Sequence, residues 1–97
     1  SLTTASRSTL RKQATFLRKN KNLNVTIEGH ADERGTREFN LALGERRANA
    51  AKDYLMTYGI SGKRISTISY GKEKPVNPGS DPLSWSQNRR SVTVKVN

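Results

Sequence analysis

The stretch "TREFNLALGERRANAAKDYLMTYGI" limits the fold more than any other part of this 97-residue chain. Within it Leu41, Gly44, Ala48, Ala51, Leu55 and Tyr58 recur at intervals of three and four. That spacing predicts one helix, roughly Thr36 to Tyr58, with a single apolar face. The middle of the face is built from Gly and Ala, which allows close approach to a sheet. Gly59 suits the position just past the helix end, and Ile60 is placed for the hydrophobic contact of a Schellman-type stop. On a helical wheel Arg46 falls on the solvated side, whereas Arg47 lies at the flank of the apolar face, in line with Leu43 and Tyr54. An arginine there is partly desolvated and needs an anionic partner.

The other segments fit around this helix. "LTTASRSTLRKQATFLRKNKN" reads as a helix with Thr3 as its N-cap and Leu10, Ala14 and Leu17 as its apolar stripe. In "LNVTIEG", Leu23, Val25 and Ile27 alternate with polar residues, and "KRISTISYG" is a second strand closed by Gly71. "KEKPVNPGSDP" holds all three prolines and is a long loop, after which Ser80 or Asp81 can cap a short helical turn carrying Trp85. "SVTVKV" closes the chain as a strand with Val92, Val94 and Val96 alternating. The order predicts one domain over residues 1–97, an α/β (α+β) two-layer sandwich with helices on a mixed sheet.

Composition removes several functions. The absence of cysteine excludes disulfides, thiol catalysis and cysteine-ligated zinc. No apolar run approaches the ~20 residues of a membrane-spanning helix, and no signal peptide or lipid-attachment cysteine is present. Eighteen Lys and Arg against eight Asp and Glu give a net charge of +10, and six basic residues precede the first acid, Glu28. Such a bias favours polyanions, whether nucleic acid, acidic lipid or a carboxylate-bearing wall polymer, and equally serves solubility.

The loop "GHADERG", residues 29–35, collects the most polar chemistry. His30, Asp32 and Glu33 offer metal ligands, but no second histidine or cysteine completes a zinc site, and the spacing is not that of an EF-hand. No G-x-S-x-G elbow or phosphate-binding glycine pattern is present. Asp32 and Glu33 are adjacent, so in extended backbone they point apart rather than flank one bond. A metal-dependent wall hydrolase using His30, Asp32 and Glu33, or a nucleic-acid-binding first helix, are therefore the weaker readings; aromatics are 6% and are not interleaved with the basic residues. Arg47 leaves two options open. It forms an internal ion pair with Asp32 or another acid of the loop, or Asp32 and Arg47 together face a zwitterion, the carboxylate taking an ammonium and the guanidinium a carboxylate.

"VTIEGHADERGTREFNLALGERRANAAKDYL", "GI…RISTISYGKEKPVNP" and "NRRSVTV" resemble the OmpA-like peptidoglycan-binding family over nearly the whole chain, and within it the branch of peptidoglycan-associated lipoproteins. The GHxDxxG loop, Asn40, the Arg47-Ala48 pair, Gly71 and Asn88-Arg89-Arg90 sit in family order. The resemblance implies a βαβαββ-type domain that binds the peptide stem of peptidoglycan without catalysis, cofactor or metal. It implies that Asp32 and Arg47 grip the free amino-acid group of meso-diaminopimelate, that Arg34, Thr36 and Leu43 line the pocket, and that Gly29, Gly35 and Asn40 support it. His30 falls at a variable family position and is expected to be structural; Arg89 and Arg90 are read as extra wall contacts or as a solvated strand end, the second being favoured. The partners implied are peptidoglycan, TolB and other Tol-system proteins, and the outer membrane through a lipid anchor outside this chain. That places the domain at the periplasmic face of the outer membrane, without nucleic acid. Family members begin with a further strand, often bearing a Phe-Asp pair, before the segment matching "LTTASR". The resemblance thus implies an N-terminally truncated domain with an exposed sheet edge.

Overall fold

Three helices alternate with three strands in a computed structural model that describes residues 2–96: α1 (Thr4–Lys19), β1 (Val25–His30), α2 (Arg37–Thr57), β2 (Ile65–Gly71), α3 (Pro82–Asn88) and β3 (Arg90–Lys95). Ser1 and Asn97, the ends of the expected domain, lie outside the described residues. β1 is the central strand, parallel to β2 and antiparallel to β3. The sheet is therefore mixed, as expected, and α2 is the crossover its parallel pair requires.

Local chemistry sets the helix ends. The Thr3 hydroxyl accepts the Ser6 N–H at 3.0 Å, and the Asp81 carboxylate caps α3 with Pro82 as its first residue. At the end of α2, Gly59 has φ +89°, the Gly59 N–H reaches the Met56 carbonyl and the Ile60 N–H reaches that of Leu55. This is the Schellman pattern, and Ile60 and Leu55 are both buried.

One core lies between the helices and one face of the sheet. Leu10, Ala14 and Leu17 of α1 meet Ala48, Ala51 and Leu55 of α2 over Val25, Ile27 and Ile65. Its tightest point is the contact of β1 with α2. A Cβ on Gly29 would fall within bonding range of the Gly44 carbonyl group, and one on Gly44 would lie 2.7 Å from the Gly29 carbonyl oxygen. The small-residue face of α2 thus has a backbone reason.

The third strand turns its apolar face away from the helices. Ile27 pairs with Thr93 and Val25 with Lys95, so Ser91, Thr93 and Lys95 share the helix-facing side and the valines take the open face. The Thr93 hydroxyl accordingly donates to Gln13 of α1, while Val94 and Val96 are 42% and 61% exposed. Among the described residues β3 pairs only with β1, and a groove of about 320 Å³ runs between it and α1, lined by residues including Gln13, Phe16, Leu17 and Thr93.

Candidate functional site

β1 ends at a bulge. Register slips between Gly29 and His30, leaving Tyr70 of β2 as the extra residue, and the chain turns into the polar loop there. His30 is 1% exposed, stacked on Tyr70 with centroids 5.5 Å apart, and its Nε2 lies 3.0 Å from Glu28. Burial pushes the imidazole pKa down. Its side chain is a packing element on the open face, while its backbone carbonyl accepts a hydrogen bond from Arg47 at 2.9 Å.

The loop is fastened at each position. Glu33 accepts from the Ser80 hydroxyl at 3.0 Å and from the Trp85 indole N–H at 2.8 Å, which ties the loop to α3. Asn40, buried in the first turn of α2, donates to the carbonyls of Arg34 and Thr36. Lys72 donates to the Gly35 carbonyl at 2.7 Å, and Gly35 supplies a left-handed turn at φ +90°. His30, Asp32 and Glu33 thus point to separate partners, and no cluster of three metal-ligating side chains occurs among the described residues.

Asp32 is the electrostatic centre. Only 6% exposed, it accepts the backbone N–H of Arg34 at 3.0 Å and both arms of the Arg34 guanidinium, at 3.1 and 2.7 Å. Arg89 adds a bond to Oδ2 at 3.1 Å. The Arg34 bonds hold its carboxyl well below the usual carboxylate range, against the opposing effect of burial. The direct Asp32–Arg47 pair that spacing allowed is not among the ion pairs of the described residues. Asp32 is carried instead by Arg34, two residues on, and by Arg89, 57 residues on. Burial depresses the pKa of Arg47, the Arg89 charge adds to this, and the charge of Asp32 opposes it.

Arg47, Arg89 and Arg90 converge on a small cavity of about 90 Å³, closed by Leu2, Ser6 and Ser91 among others. No acid lines it. Such a site takes an anion, and a planar carboxylate can be gripped by forked guanidinium groups.

Several site residues take different places from those expected. Thr36 is the N-cap of α2, its hydroxyl accepting from Phe39 at 3.1 Å. Leu43 is half-buried on α2 and does not line the cavity. Arg34 sits with Asp32, its guanidinium 4.4 Å above the Trp85 ring. Arg89 and Arg90 are not a solvated strand end: Arg89 pairs with Asp32, and Arg90 donates to the carbonyls of Asn88 and Lys74.

Residues 1–89 match the OmpA family. A peptidoglycan-associated lipoprotein of Rhizobium meliloti is 63% identical over 87 residues, covering 90% of this chain and 49% of its own length. One of Agrobacterium fabrum is 59% identical over 86 residues, covering 89% and 49%. The chain thus spans about half the length of these relatives. The crystal structure of the peptidoglycan-associated lipoprotein from Burkholderia pseudomallei superposes with a TM-score of 0.94 at 40% identity, over 98% of this chain and 80% of that one. The C-terminal domain of Helicobacter pylori MotB, at 19% identity and a TM-score of 0.89, shares the fold. On sequence and architecture together, the chain belongs to the OmpA family.

Proposed function

We propose that this domain binds the peptide stem of peptidoglycan without catalysis and so holds the outer membrane to the cell wall. The observation that carries the reading is the acid-free cavity shared by Arg47, Arg89 and Arg90, with the Asp32 carboxylate one arginine away. A free amino-acid head group, as in diaminopimelate, matches that layout. Its carboxylate enters the arginine cavity, and its ammonium takes an oxygen of Asp32 in exchange for Arg34, whose side chain is 55% exposed. Gly29, Gly35 and Asn40 hold the loop against α2 so that these groups stay aligned.

The relatives' description as lipoproteins supports a wider reading. A lipid anchor outside this chain keeps the domain at the periplasmic face of the outer membrane, with TolB and other Tol-system proteins as partners. A strand preceding this segment pairs along the free edge of β3 and covers the groove beside α1. Calorimetric titration with a diaminopimelate muropeptide and its lysine-containing counterpart tests the site. Binding should favour the former and fall at least tenfold in both Asp32→Asn and Arg47→Lys, since each loses a charged hydrogen bond. Equal affinity for the two muropeptides, or full binding by both variants, overturns the assignment.

A further inference from the structure

The proposed wall site leaves one sequence feature unused. α1 carries a seven-residue repeat, "STLRK" at 8–12 and "TFLRK" at 15–19. Its leucines, Leu10 and Leu17, are buried at 4% and 2% exposure, whereas both Arg-Lys pairs are exposed. Seven residues are about 10 Å of helix and nearly two whole turns, so the pairs form one outward stripe.

Among the described residues no acid pairs with this stripe. All eight acids of the chain lie between Glu28 and Asp81, and residues 2–27 and 82–96 together hold nine basic residues and none acidic. The antiparallel pairing of β3 and the Thr93–Gln13 bond bring those two segments to the same side of the molecule. Lys12, Arg18 and Lys19 have no ion-pair partner among the described residues. Arg11 meets neutral tyrosine hydroxyls, donating to that of Tyr54 at 3.1 Å. A solubilising surface needs no such segregation, because interspersed charges serve solubility as well.

We infer that the outer face of α1 is a docking surface for an anionic phospholipid membrane. The choice of polyanion rests on the envelope location proposed above; the geometry of the stripe does not. A convex helix with shallow, evenly spaced cations suits a flat sheet of phosphates, and basic side chains near such a surface each contribute about a fivefold gain in affinity. A single exposed aromatic, Phe16, lies among these cations, fewer than the series of stacking platforms that a single strand uses, which disfavours nucleic acid.

Sedimentation of the chain with phosphatidylcholine vesicles, with and without phosphatidylglycerol, tests this. Binding should require phosphatidylglycerol and weaken as salt is raised. The triple variant Lys12→Gln, Arg18→Gln, Lys19→Gln should lose roughly 100-fold in affinity. The charge-matched triple Arg46→Gln, Lys52→Gln, Lys63→Gln, on α2 and the turn after it, should lose less than about fivefold. Equal losses in the two triples would reduce the effect to net charge and overturn the proposal. Tighter binding to a DNA duplex than to the vesicles at the same salt would also overturn it, assigning the stripe to nucleic acid. The first triple should titrate a diaminopimelate muropeptide as the parent does, so failure of the wall reading and failure of this one are read separately.

Discussion

Replacing Gly29 by alanine should be among the most damaging single-atom additions to this fold. The new Cβ would meet the carbonyl carbon and oxygen of Gly44, with the Gly44 Cα only 3.0 Å away. These are backbone atoms in the middle of a 21-residue helix and cannot rotate aside. Restoring ordinary contact means parting β1 from α2 by roughly 2 Å. A gap of ~1 Å already forfeits up to half of a contact's dispersion energy, and Ala48 and Ala51, both 0% exposed, depend on that interface. An overpacking cost of about 3 kcal/mol follows, which for a domain of this size lowers Tm by about 15 °C. Gly59 provides the internal control. Its φ of +89° strains an alanine, but nothing lies within 4 Å of the added atom, so the cost is about 1–2 kcal/mol. Urea denaturation monitored by circular dichroism measures both. A Gly29→Ala variant no less stable than Gly59→Ala would refute the argument that close backbone approach fixes this sheet–helix spacing.

Three further outcomes are expected. Because the Asp32 carboxyl is held below its unfolded pKa of about 4, its bonds stabilise the fold above that pH and the contribution is lost as pH falls through the folded value; the acid limb of stability against pH should flatten in Asp32→Asn, and an unchanged limb contradicts the assignment. Arg64 donates to the carbonyls of Leu17, Asn20 and Leu23, closing the end of α1; Arg64→Met, which keeps the packing, should cost about 2 kcal/mol in chemical denaturation, and a neutral result would show the bonds to be incidental. In the proposed site, diaminopimelate muropeptide should displace Arg34 from Asp32, so the fluorescence of Trp85, the single tryptophan, should change on titration in the parent and not in Arg34→Ala.

How far the sequence reached depended on the distance over which each interaction acts. α2 was legible because period and stop are local: its extent and its Schellman end at Gly59 follow from residues within four positions of one another, whereas Thr36, expected in the pocket, is its N-cap. Strand alternation in β3 was equally visible, yet it identifies two faces without saying which is inside. The pairing of Thr93 with Ile27 decides that, across 66 residues, and it turned the valines outward. The Arg34–Asp32 bonds span two residues and lie within reach of inspection, whereas the Arg89–Asp32 bond joins the loop to the far end of α3. Arg64 carried no signal at all, since its three acceptors are backbone carbonyls and any sequence supplies those.

The long-range part of the site has a physical consequence for how it can work. An acid as buried as Asp32 cannot stand alone, because an unpaired carboxylate in that position would cost several kcal/mol. In the free domain Arg34 and Arg89 satisfy it, so binding an ammonium there is an exchange of partners and not the filling of a gap. The two arginines are unequal in that exchange. Arg34 is the more exposed, with 55% of its side chain in solvent against 37% for Arg89, and the Trp85 ring lies beneath its guanidinium. It can therefore leave Asp32 at the smaller cost, trading a carboxylate for water. Arg89 must stay, since it lines the cavity beside Arg47 and is the one side chain that touches both the acid and the anion pocket. A ligand with only a carboxylate would leave Asp32 with its original partners and gain the cavity alone. One with only an ammonium would compete with Arg34 for nothing more than a replacement. In the proposed site net gain requires both ends at once, so the close approach of Gly29 to Gly44, which sets the spacing of β1 and α2, becomes part of its selectivity.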